Sequence, residues 1–239
     1  MKTTILLLLA FVAAGCGRTA PAQARSARSD TVKLPEPDLV GSMTVERALA
    51  ARRSVRTYAA SALTLAEIGQ VLWAAYGVTV PMPGERMRGG MKTAPSAGAT
   101  YPLELYVVAG QVAGLEPGIY KYRPEEHSLV LVGRGDRRTE LCSAALGQEM
   151  VKTAPAAIVF SAVFERTTER YGERGRERYV CMDLGHSAEN VYLQCTALGL
   201  GTVAIGAFSD GEVKRVVGMP AEEEPLYIMP LGRPAEVKR

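Results

Sequence analysis

The stretch Glu177 to Leu198, ERYVCMDLGHSAENVYLQCTAL, is the longest helical pattern in the chain. Val180, Leu184, Val191, Cys195 and Leu198 recur at helical spacing and form one stripe, and Ala188, Tyr192 and Ala197 widen it. A helix that is apolar on most sides is buried in a core or against a partner chain. The pattern runs into Leu198-Gly199-Leu200-Gly201, and a short strand is expected over 202–205. Those glycines match a dinucleotide fingerprint in spelling. Their context is the reverse of it, because they leave a helix and enter a strand. They are read as the end of the long helix.

Working outward, strands and helices interleave without a regular alternation. Short helices are expected over 44–52, 137–146 and 211–217. Thr64-Leu65-Ala66-Glu67 has capping-box spacing, and the helix behind it ends at Gly77. Residues 78–98, rich in Gly, Pro and Met, read as a long loop. Strands are expected over 104–109, 118–122, 128–132 and 226–231, with a fully buried one near 156–163. This order favours an α+β fold over a doubly wound sheet.

Composition narrows the possibilities without naming an activity. The 239 residues are 47% apolar and 22% charged, with 28 basic against 25 acidic side chains and a net charge of +3. So near a balance gives no electrostatic footprint for nucleic acid. Two histidines and four cysteines are too few for a zinc-ribbon array or a disulfide framework. His186 is expected in the core, and Cys142, Cys181 and Cys195 as buried, inert thiols. No P-loop and no G-x-S-x-G elbow is present.

The amino terminus departs from the average. Lys2, the apolar run from Ile5 to Ala14, and then small residues read as a secretory signal, since ten apolar residues are too few to span a bilayer. Ala13-Ala14-Gly15-Cys16 resembles the bacterial lipoprotein box, which implies lipidation at Cys16; an ordinary signal cut nearby is the alternative. The expected organisation is a signal peptide over 1–15, a flexible tether over 16–43 and one domain over 44–235. Acyl chains on Cys16 would anchor the exported chain to a membrane, on the periplasmic or cell-surface side.

In Arg52-Arg53-Ser54-Val55-Arg56-Thr57-Tyr58, three guanidinium groups and two hydroxyls fall within the first six residues, near a helix end. It is either a solvated basic face or a phosphate site, since arginine donors match phosphate oxygens in forked geometry. Three further motifs follow: Pro95-Ser96-Ala97-Gly98-Ala99-Thr100-Tyr101-Pro102, then Asp183-Leu184-Gly185-His186 with Glu189-Asn190, then Leu231-Gly232-Arg233-Pro234. In this order and spacing the four resemble the nitroreductase superfamily, specifically its SagB-type dehydrogenase branch, over roughly residues 45–235.

That resemblance implies an α+β fold with a central, mostly antiparallel sheet flanked by helices, and FMN bound at a homodimer interface. It implies that Arg52, Arg53, Ser54, Arg56, Gly232 and Arg233 serve the phosphate and ribityl chain. Pro95, Ser96 and Gly98 would reach the cofactor from the partner subunit. Ile205, Gly206 and Ala207 would pass beside the isoalloxazine and offer a backbone N–H to its N5. The implied activity is hydride transfer through N5 between a donor and a small organic acceptor.

Azoline-oxidising members of this branch carry a Lys-Tyr pair before the long helix. Here Tyr171 is kept, as a candidate catalytic residue or as pocket wall, and Arg170 stands in the place of the lysine. Arginine is effectively always protonated and is a poor general base. Oxidation of azoline rings in modified peptides remains an alternative. A surface lipoprotein that holds flavin or another ligand without turnover is a second.

Overall fold

The chain enters its domain through an edge strand. The structure is a computed structural model and describes residues 30–82 and 87–235. Strand β1 (Thr31–Lys33) is followed by helix α1 (Val45–Ala51), strand β2 (Leu63–Thr64) and helix α2 (Leu65–Tyr76). A hairpin of β3 (Val78–Pro81) and β4 (Gly90–Lys92) leads to β5 (Leu103–Ala109) and β6 (Val112–Ala113). Strands β7 (Gly118–Arg123) and β8 (Ser128–Arg134), helices α3 (Arg138–Ala144) and α4 (Glu149–Thr153), and β9 (Ala156–Ala162) follow. Helices α5 (Glu165–Tyr171) and α6 (Val180–Ala197), strand β10 (Gly201–Thr202), helix α7 (Asp210–Val217) and strand β11 (Glu224–Gly232) complete it.

Seven strands form one sheet in the order β1-β8-β7-β5-β9-β11-β10, and every pairing in it is antiparallel. The expected α+β class with a central antiparallel sheet flanked by helices is what the chain adopts. Strand β9 is buried at all seven positions, as its apolar run predicts. Alternation along β5 and β9 divides the core in two. Leu105, Val107, Ile158 and Phe160 pack with residues of α2 and α6 on one face. Tyr106, Val108, Ala157 and Val159 pack with residues of α3 and α7 on the other.

Helix α2 begins with the expected capping box. Thr64 Oγ1 accepts from the Glu67 amide at 3.1 Å, and the Glu67 carboxylate accepts from the Thr64 amide at 2.8 Å. Helix α6 buries Val180, Leu184, Ala188, Val191 and Cys195. A π-helical turn at Gly175–Tyr179 precedes it, where the pattern suggested regular helix. Asp183 lies on one flank of the buried stripe and Tyr192 on the other: nine positions apart, they sit about half a turn out of phase and about 13 Å apart along the axis.

Several expectations need correction. Residues 78–98 are not one loop, because β3 and β4 pair in a hairpin there; Gly and Pro density masked the alternating Val78 and Val80. The 16–43 tether ends early: Thr31–Lys33 pairs with β8 and Leu34 is 2% exposed. Two apolar residues, Val32 and Leu34, among Pro, Lys and Glu gave no clear periodic signal. Residues 1–29, including the signal and Cys16, lie outside the described residues. His186 and Cys181 are exposed on α6, whereas Cys142 and Cys195 are buried. The strand expected over 202–205 pairs at Gly201–Thr202 and again only at Ile205, opposite Ile228.

Candidate functional site

Segment 52–58 leaves α1 in extended form and runs parallel to β10. Ser54 bridges Thr202, and the Val55 amide donates to the Thr202 carbonyl at 2.9 Å. This approach requires glycine at 201, where an added Cβ would lie 2.6 Å from Val55 Cβ. Tyr192 of α6 ties the segment down. Its hydroxyl is 3.2 Å from Ser54 Oγ and accepts the Ala204 amide at 2.8 Å, and its ring carries the Arg52 guanidinium at 5.2 Å. The arginine segment and the chain entering Ile205-Gly206-Ala207 are thereby gathered at one tyrosine. Ile205 is buried, and Gly206 and Ala207 are exposed.

The other arginines differ in what holds them. Arg53 donates to the carbonyls of Ala50 and Arg52, closing the end of α1. Arg56 is exposed, and no ion pair holds it among the described residues. Arg233 arrives from the domain's far end, since Ala59 donates its amide to the Arg233 carbonyl and Ala235 to that of Thr57. Its guanidinium pairs with Glu67 at 2.6 Å and reaches the Ala62 carbonyl at 3.2 Å. Gly232 is buried, with Tyr58 and Pro155 where a Cβ would go.

A second cluster forms around Pro95, Ser96 and Gly98. Ser96 Oγ donates to Asp183 Oδ2 at 2.6 Å, and the Ala97 amide donates to Oδ1 at 3.2 Å. Ser96 Oγ also accepts the Tyr101 amide at 2.9 Å. The hydroxyl proton is thus used inside the chain, which leaves the backbone of this loop to meet a ligand. Asp183 is 2% exposed. Burial pushes its carboxyl above the usual range, against the lowering pull of the Ser96 hydrogen bond. Gly98 takes φ +59°, and a Cβ there would strike the Tyr171 hydroxyl. Tyr171 packs edge-on against Tyr179 at 5.0 Å, and Arg170 sits 5.3 Å from its ring centroid. Pro95 is exposed beside this loop.

The two clusters lean on opposite flanks of α6. Sequence reasoning missed Tyr192, Thr202 and Asp183 as organisers of these groups. The half-turn offset of Asp183 and Tyr192 on one helix was the available signal.

A model described as the nitroreductase family matches residues 49–233. The chain belongs to the nitroreductase family. A protein of Methanocaldococcus jannaschii named as a nitroreductase is 49% identical over 207 residues, covering 87% of this chain and 99% of the relative. The trifolitoxin-processing protein TfxB of Rhizobium leguminosarum bv. trifolii is 35% identical over 121 residues, which are 49% of this chain and 32% of TfxB. A crystal structure from Ralstonia eutropha JMP134, described as a nitroreductase, superposes with TM-score 0.73 at 31% identity, covering 92% of this chain and 96% of that one.

The residues of this nitroreductase-family chain suit a flavin phosphate on two observations. Arg52 and Arg56, on one extended segment, each lack a carboxylate partner among the described residues. Two buried side-chain hydroxyls have no hydrogen-bond partner there: Thr202 Oγ1, on β10 opposite Ser54, and Ser61 Oγ, three residues beyond the arginine segment. An unpaired buried hydroxyl costs about 1–3 kcal/mol, so a polar ligand that satisfies it is favoured.

Proposed function

We propose that this oxidoreductase of the nitroreductase family is FMN-dependent and acts as a homodimer on a small organic acceptor. The observation that carries the reading is the gathering of Arg52, Ser54 and Ala204, which leads into 205–207, around Tyr192, with Thr202 bridged to Ser54 and its hydroxyl left unpartnered. When bound, FMN supplies the hydride-exchanging centre.

In this reading Arg52 and Arg56 hold the phosphate, and Ser54 and Thr202 supply hydroxyls to the chain behind it. Arg233 assists only as far as Glu67 shares it. Gly206, without a side chain, lets the backbone amides of 205–207 approach the ring. The loop at Ser96–Gly98 covers the partner subunit's cofactor through its backbone, and Tyr171 walls the pocket behind Gly98. Export and attachment through Cys16 complete the proposal and rest on residues 1–16 of the sequence alone.

The purified full chain should show a flavin spectrum, directly or after reconstitution. Arg52→Ala with Arg56→Ala should abolish retention, because each charge-assisted contact contributes about 1.5–3 kcal/mol. A folded chain that takes up no FMN would sink the reading. Turnover of a quinone or nitroaromatic with a reductant distinguishes an enzyme from a flavin-holding surface protein.

Similarity to the trifolitoxin-processing protein supports a second reading, dehydrogenation of a modified peptide. Arg170 weighs against it, because a permanently protonated side chain does not remove a proton.

A further inference from the structure

Beside Gly98 lies an open cleft of about 560 Å³ lined by Arg88, Gly98, Ala99, Thr100, Arg166, Glu169 and Arg170. Its charges do not balance. Arg88 and Arg166 reach the same oxygen of Glu104, Oε1, at 3.2 Å and 2.6 Å. Lys121 takes the other oxygen at 3.2 Å, and it is also paired with the buried Glu223. Setting Lys121 against Glu223, and the neighbouring Lys92 against Glu125, leaves the three guanidiniums of the lining with two carboxylates, Glu169 in the lining and Glu104 behind it. The excess is one positive charge.

The crowding has an electrostatic signature. Burial and then repulsion from Arg166 push the Arg88 guanidinium below its ordinary value, although Glu104 opposes the shift. Arg170 is the least engaged of the three. It is exposed, meets the Tyr171 ring at 5.3 Å, and makes one long hydrogen bond of 3.5 Å to the Gly98 carbonyl. Guanidinium has five N–H donors in a forked array, so most of those on Arg170 are open to the cleft. The lining is strained at Ala99, which takes φ +55° without being glycine, and Tyr101 just beyond it takes φ +44°. Such backbone is held at a cost and clusters where ligands bind.

We infer that Arg170, with Arg88 and Arg166 behind it, forms a carboxylate-binding subsite beside Gly98, and that the organic substrate of this chain carries one carboxylate group. The proposal rests on the functional reading for the word substrate, and on the cleft alone for the binding. One excess charge matches a carboxylate monoanion, whereas a phosphate dianion would leave the cleft negative. The forked donors of arginine suit both oxygens of a carboxylate.

Calorimetric titration of the full chain with benzoate, benzyl alcohol and phenyl phosphate tests this, with flavin content read separately by absorbance. Benzoate should bind more tightly than either other probe. Arg170→Gln should weaken benzoate by about tenfold and leave benzyl alcohol unchanged, and Arg170→Lys should recover part of the loss. Equal loss for benzoate and benzyl alcohol, or tighter binding of phenyl phosphate, overturns the subsite. A chain that retains FMN but does not discriminate benzoate refutes this inference alone. A chain that discriminates benzoate but never takes up FMN refutes the cofactor reading alone.

Discussion

Ser96 Oγ lies 2.6 Å from Asp183 Oδ2, joining a loop to a helix 87 positions away in sequence. Removing the carboxylate strands both the Ser96 hydroxyl and the Ala97 amide. Asp183→Ala should lower stability by about 3 kcal/mol in urea unfolding, and Asp183→Asn by clearly less, since an amide keeps the shape. The pH dependence has a definite sign. With its folded pKa raised by burial, Asp183 binds more protons in the folded than in the unfolded chain just above the ordinary carboxylate range. Its contribution therefore falls as pH rises through that window. The difference between wild type and Asp183→Asn should slope accordingly, and a flat difference would disprove the raised carboxyl.

Gly201 sits against Val55 so closely that a Cβ would lie 2.6 Å away. Gly201→Ala should cost about 1–3 kcal/mol and weaken flavin retention, because the arginine segment is pushed from β10. Adding Val55→Gly, which removes the Cβ that would be struck, should restore part of the flavin retention. Absence of any coupling in the double mutant would show that the segment does not depend on this contact.

The Lys92 ammonium lies over both the Tyr76 and Tyr101 rings, 5.3 and 5.0 Å from their centroids. Burial pushes its pKa down to about 8, from 10.5. The folded chain then holds fewer protons than the unfolded one between about pH 8 and 10.5. Stability contributed by this site should rise with pH across that window, and Lys92→Met should abolish the rise. Paired melts from pH 7 to about 10.5 provide the comparison.

Cys181 is exposed, while Cys142 and Cys195 are buried, and burial pushes both of those thiols above the usual value. A maleimide should label Cys181 rapidly in the folded domain and the other two only on unfolding. Mass spectrometry of the labelled peptides reads the result directly.

The central strands and the long helix were legible because burial writes its period into sequence. Ala156 to Ala162 is nearly all apolar, and Val180, Leu184 and Val191 keep helical spacing. The capping box was equally plain, since Thr64 and Glu67 interact across three residues. Strand β1 was not, because Val32 and Leu34 stand among charges and prolines, and an edge strand gains its partner from a distant segment. Candidate site residues stood out in proportion to their chemistry. The arginines announced themselves; whether each stays open did not. Arg53 turns back to close α1 and Arg233 meets Glu67, and neither partner is marked by spacing.

Helix α6 fixes a length as well as a position. Asp183 grips the Ser96–Ala97 loop and Tyr192 the arginine segment, on opposite flanks of a single rigid rod. Inserting or deleting one residue between them would swing the two grips about 100° out of phase and shift them 1.5 Å. The two grips therefore fix the number of residues between Asp183 and Tyr192, so the helix works as a ruler whose graduations are peptide units.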